Sequence, residues 1–171
     1  TDTQARLIYS SEPGGAWQIY DVDEVGRVTN IVSSWLDSTT NAGSAGSRRT
    51  VSLYTPLSGD DGSIETTQAR IIIEQICDTV VAKTYRQFYY TNTSEKVEVT
   101  EQSAAPAQDL SADDFGSSSN RRTTTTWYSG DYTNKAAAGR VKFTVSSDGR
   151  MEEYGYEYGT FARHASDPGQ S

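Results

Sequence analysis

Apolar and polar positions alternate with a period of two in segment after segment of this chain, the pattern of strands with one face buried. Residues 5–9 alternate, residues 10–15 (Ser-Ser-Glu-Pro-Gly-Gly) supply turn chemistry, and residues 16–22 read as the returning strand. A second turn over residues 23–26 leads into residues 27–36, where Val28 and Val32 share one face and Thr29, Ile31 and Ser33 the other. A three-stranded meander is therefore predicted for the N-terminal third. Residues 50–55 form a further strand ended by Pro56, which has no N–H to give to a ladder. Residues 84–91 and 96–100 predict two more strands, and residues 121–129 a Thr-rich one ending in Trp127 and Tyr128. The plainest local signal comes last. Val141, Phe143 and Val145 face one way, Ser147-Asp148-Gly149 turns the chain, and residues 150–158 return.

One segment breaks the rule. Ala69, Ile72, Ile73, Ile76 and Val80 recur at helical spacing, Ser63 is a candidate cap, and Glu65 suits a first turn. The β-branched residues of the same stretch favour strands. On periodicity, one helix is predicted over about residues 65–82. Residues 37–48 and 101–120 are Ser-, Ala-, Asp- and Gly-rich and read as long polar loops. The second has few apolar side chains to offset its ordering entropy and is expected to contribute little to folding. The expected fold is mainly β: one β-rich domain over residues 1–171, an antiparallel sandwich or barrel of about eight strands with one helix.

Composition changes this picture in one respect. Leu, Ile, Val and Phe make up only about 16% of the chain and the net charge is −8, a combination that signals disorder. Eleven Tyr and three Trp offset it with large apolar surfaces carrying polar tips, so an aromatic-rich core is expected. The negative charge repels phosphate backbones, and neither Arg48-Arg49 nor Arg121-Arg122 belongs to a longer basic run, which argues against nucleic acid. No stretch approaches the roughly 18 apolar residues of a spanning helix, so no membrane partner is expected. Cys77 is the single cysteine, precluding an internal disulfide, and is expected to be a buried hydrophobe.

Candidate chemistry is sparse. His164 is the single histidine and lies in a polar tail, so neither a Ser-His or Cys-His nucleophile nor a zinc site is expected. Asp21, Asp23 and Gly26 begin like a calcium loop, but Val25 and Val32 occupy positions that need side-chain oxygens. Glu152, Glu153 and Glu157 are the candidate carboxylates for a glycosidase-like pair. No catalytic, cofactor-binding or metal-binding residue is assigned. Interface or ligand-stacking candidates are the stripe Tyr154, Tyr156 and Tyr158, together with Trp17 and Trp127. Arg48, Arg49, Arg121 and Arg122 are candidates for bidentate pairing with carboxylates of a neighbouring copy. The leading expectation is a non-enzymatic structural subunit of a virion shell, tail or filament, at work in a virion or extracellular assembly and bound to copies of itself or other protein subunits. The alternatives are a carbohydrate- or small-ligand-binding β-module and an acidic inhibitor or immunity protein, either of which would also suit the cytoplasm.

Overall fold

The computed structural model describes residues 9–11, 16–36 and 46–159. Those residues are mainly β, in one open antiparallel sheet of ten strands with almost no helix. The strands are β1 (Tyr9–Ser11), β2 (Trp17–Val22), β3 (Val28–Ser34), β4 (Ser47–Leu53), β5 (Ile71–Ile76), β6 (Thr79–Tyr90), β7 (Lys96–Gln102), β8 (Arg121–Trp127), β9 (Val141–Ser146) and β10 (Met151–Glu153). Their spatial order is their chain order. Every strand therefore pairs with its sequence neighbours, and β1 and β10 stand at opposite edges. The antiparallel β class agrees with the alternation in the sequence. The architecture differs from a sandwich or a closed barrel, because among the described residues there is one open sheet, with no second sheet and no pairing between its two edges. The missing layer is supplied by connecting segments.

Two hairpins at opposite ends of the sheet use the same turn. Asp23 N donates to Arg27 O at 2.9 Å and Gly26 N to Asp23 O at 3.0 Å. In the other, Ser146 N donates to Arg150 O and Gly149 N to Ser146 O, both at 2.9 Å. Gly26 and Gly149 take φ of 87° and 83°, a left-handed conformation that a Cβ would strain.

The helix expected over residues 65–82 is replaced by a hairpin. Ile76 pairs with Thr79, leaving Cys77 and Asp78 as a two-residue loop. Both loop residues have positive φ, 49° and 65°, as the mirror-image turns favoured in tight hairpins require. Neither is the glycine or asparagine that advertises such a turn, which is why the sequence pattern pointed elsewhere. Ile71, Ile72 and Ile73 occupy both faces of a central strand, so a continuous apolar run need not be helical. Ser63 caps no helix; its hydroxyl and amide bond the Asp61 carboxylate at 2.6 and 3.0 Å. Cys77, expected to be buried, is exposed because it sits at the tip of that turn.

Cross-strand partners share a face, so the register assigns each side chain to one side. Leu53, Ile71, Tyr85, Glu101 and Arg122 form one row, and Gln87, Val99, Thr124, Val145 and Met151 another on the same face. The centre of this inner face is the core, where Ile73, Tyr85 and Val99 are fully buried and Val80 and Val97 nearly so. Two segments cover it. Residues 54–70 continue the edge that β5 leaves beside β6: Arg86 N donates to Arg70 O at 2.8 Å and Asp61 N to Phe88 O at 2.7 Å. Leu57 and Ile64 from this segment are buried.

Residues 103–120, read from the sequence as a polar loop of little weight in folding, form the second cover and bond buried groups of the sheet. Lys83, only 1% exposed, donates through Nζ to the carbonyls of Asp109 and Ala112 at 2.6 and 2.9 Å. Glu101, also 1% exposed, accepts from Gly116 N at 2.6 Å and Asn120 Nδ2 at 2.7 Å. The Tyr85 hydroxyl donates to Asp114 Oδ1, and the Ser103 hydroxyl to Asp114 Oδ2 at 2.6 Å. The Gln108 amide bonds both backbone groups of Val80, filling a rung beyond the end of β7. Buried polar groups replace the apolar side chains that the segment lacks. Of the two predicted loops, residues 37–45 lie outside the described residues, residues 47–48 belong to β4, and residues 101–102 to β7.

Candidate functional site

The aromatic residues of the C-terminal third assemble beyond the last hairpin. β10 ends at Glu153, and Tyr154 N makes one more ladder bond, to Lys142 O at 2.9 Å, before the chain leaves the sheet. Residues 154–158 are therefore not strand, and Tyr154, Tyr156 and Tyr158 do not form a stripe on one face. Tyr154 turns back, its hydroxyl 3.1 Å from Glu152 Oε2. Tyr158 stands apart at 73% exposed. Tyr156 instead meets the β8–β9 connection. Its carbonyl accepts from Asn134 Nδ2 at 3.0 Å, and its ring centre lies 6.4 Å from that of Tyr128 at an interplanar angle of 79°. Tyr128 in turn stacks on Tyr132 at 4.6 Å and 32°.

Tyr128 and Tyr132 were not singled out by the sequence. The first closes a strand, and the second sits in the turn made when Tyr132 N bonds Ser129 O at 3.0 Å. Nothing in their spacing signals that the connection folds back over them. Cations flank this cluster. Lys142 Nζ is 5.6 Å from the Tyr128 ring centre, and Arg140 Cζ is 5.1 Å from that of Tyr156. Lys142 also bonds Glu95 Oε1 at 2.6 Å, and that carboxylate holds the ammonium above its ordinary pKa range.

The remaining candidates are dispersed. Trp17 is 4% exposed and belongs to the core, leaving no open ring face. Trp127 is half-buried with Lys96 Nζ 4.5 Å from its ring centre, and Lys96 is tied to Glu65 Oε1 at 3.0 Å. Adjacent residues on a strand point to opposite faces, so neither Arg pair acts as one two-armed site. Arg48 lies on the outer face and pairs with Glu74 at 3.1 Å, while Arg49 lies on the inner face and bonds Asn30 Oδ1 at 2.8 Å. Arg121 and Arg122 are exposed on opposite faces of β8. Of the carboxylates considered for paired chemistry, Glu152 is bound to Arg150 at 2.6 Å and to Tyr154. His164 lies outside the described residues. Asp23, half of the failed calcium motif, serves the turn by accepting from Arg27 Nε at 2.7 Å.

Among the described residues, no group of three or more His, Cys, Asp or Glu is arranged to hold a metal ion, and no helix is long and apolar enough to cross a membrane. No protein-family model, curated protein or solved structure matches the chain.

Proposed function

We propose that the chain is a non-enzymatic structural subunit, of the kind that builds a virion shell, tail or filament, associating with copies of itself or with other protein subunits. One observation carries this reading: among the described residues, the sheet is a single layer at its flanks. A sheet is stable when at least one face is covered, and ten strands are more than the connecting segments can cover. β3 and β9 are half-buried along their whole length, showing neither a fully buried nor a fully exposed face. Apolar side chains on these flanks remain accessible, including Tyr9 at 45% and Met151 at 56%. Both edge strands, β1 and β10, pair on one side among the described residues, and a strand edge with free backbone groups is a template for another chain. Such a subunit belongs to a virion or extracellular assembly.

Light scattering on the purified chain across a concentration series tests the proposal. A mass several times that of one chain, with flank amides that exchange more slowly as the mass rises, is the expected result. A chain that stays monomeric up to millimolar concentration overturns it.

A further inference from the structure

We propose that the depression between Tyr128, Tyr132 and Tyr156 binds a neutral sugar ring. This goes beyond the assembly role and does not rest on it. The depression encloses about 560 Å³ and is lined by the three tyrosines with Asn134, Gly155 and Glu157. That volume falls inside the roughly 300–1,000 Å³ of ligand pockets.

The walls suit a pyranose. The Tyr128–Tyr132 stack and the Tyr156 ring, at 79° to Tyr128, give two aromatic surfaces that are not parallel. A sugar ring presents apolar C–H groups on its faces and hydroxyls around its rim, so it gains contact with aromatic surface while its polar groups stay hydrated or bonded. The walls are also fixed before a ligand arrives. Asn134 spends its amide on Tyr156 O and its side-chain oxygen on Ala136 N, both at 3.0 Å, and the Tyr128 hydroxyl reaches Tyr154 O at 3.3 Å. A prearranged site loses little conformational entropy on binding.

Charge selects among sugars. Glu157 is exposed at the rim and, like the Tyr132 and Tyr156 hydroxyls, bonds no described residue. A carboxylate there accepts from vicinal hydroxyls and repels an acidic sugar. Cationic ligands are disfavoured in turn, since Lys142 already lies by the Tyr128 ring and Arg140 by Tyr156. A neutral polyol with one apolar face satisfies every group present.

Titrating the full chain with methyl glycosides of glucose, galactose, mannose and N-acetylglucosamine, and with their disaccharides, tests this by tyrosine fluorescence and amide shifts. Saturable binding of at least one neutral sugar is expected, with shifts centred on residues 128–137 and 155–157. Tyr132→Ala should weaken it about tenfold or more, a loss of about 1.4 kcal/mol, whereas Tyr132→Phe keeps the stack and loses less. Glu157→Gln, at an exposed position where folding is not at stake, should weaken binding while leaving the circular dichroism unchanged. Tyr90→Ala, at a 55% exposed tyrosine on β6, should bind as the parent does. The proposal is overturned if no neutral sugar gives a saturable shift, if a folded Tyr132→Ala or the Glu157→Gln variant binds at full strength, or if saturation is confined to a uronate or to tetramethylammonium.

Discussion

Arg70 Nε lies 2.6 Å from Asp60 Oδ2, and the two side chains are 2% and 0% exposed. The same guanidinium donates to the carbonyls of Gln68 and Glu65 at 3.0 Å and Ile64 at 2.5 Å, and stacks 4.7 Å from the Phe88 ring centre. One side chain thus gathers the segment that covers the edge of β6. Removing one partner of a buried pair leaves an uncompensated charge, so Asp60→Ala should destabilise by about 3–5 kcal/mol. The double variant Asp60→Leu/Arg70→Met should not recover the loss, because the carbonyls of Gln68 and Ile64 then lack a donor, while Glu65 O keeps only Gln68 N. Urea unfolding of the two variants checks this, and a double variant as stable as the parent counts against it.

Tyr85 and Asp114 should limit stability at both ends of the pH range. For Asp114, burial by itself raises the carboxyl pKa, but bonds from Ser103, Tyr85 and Asn120 outweigh it and the net shift is downward. Stability from a lowered carboxyl is complete above its unfolded pKa, near 4, and is lost as pH falls through the lower folded value. For Tyr85, burial first and the Asp114 bond second push the phenol upward. Its contribution is complete below the unfolded pKa of about 10 and is lost as pH rises beyond it toward the folded value. Melting temperature against pH should therefore fall below about pH 4 and above about pH 10. Asp114→Asn should flatten the acid limb relative to the parent. An unchanged acid limb would show that other carboxylates set it.

Replacing residues 104–119 with a Gly-Ser linker should destabilise the chain by more than about 3 kcal/mol. The cut strips Lys83 and Tyr85 of these partners and leaves Glu101 with Asn120 alone, and each orphaned buried polar group costs about 1–3 kcal/mol. A melting temperature close to that of the parent would show instead that water replaces the segment without penalty.

Phe88 and Phe143 separate the core from the flank. Phe88 is 1% exposed, so Phe88→Ala should cost about 3–5 kcal/mol. Phe143 is half-buried on β9, and in the monomer Phe143→Ala should cost about 1–2 kcal/mol. If the flank is an assembly contact, the second variant should also shift the association equilibrium, measured by sedimentation, while the first leaves association per folded chain unchanged. A Phe143→Ala loss as large as that of Phe88→Ala would mean that the monomer itself buries the flank.

Strand positions and most hairpin turns were legible in the sequence because both are local. Side-chain alternation follows from the pleat, and a turn such as Ser147-Asp148-Gly149 follows from which residue tolerates positive φ. Thus β2, β3 and β9 lie where the alternation put them, whereas β10 stops short of the predicted return because ladder pairing ends one bond after Glu153. Tertiary structure decided the rest. The isoleucines at 72, 73 and 76 fit a helix face or a two-faced central strand equally well, and only β4 on one side and β6 on the other select the strand. Lys83 and Glu101 read as ordinary solvated charges, and Asp109, Asp114 and Asn120 as loop residues. They become a buried network because β6 and β7 bring groups up to 29 residues apart in sequence within bonding distance. The Tyr128–Tyr132–Tyr156 cluster has the same origin. Its members are unremarkable in sequence, and they meet because the β8–β9 connection folds back and Asn134 holds Tyr156 against it. Burial and ring contact are properties of the folded chain as a whole, whereas alternation and turn preference belong to single residues and their neighbours.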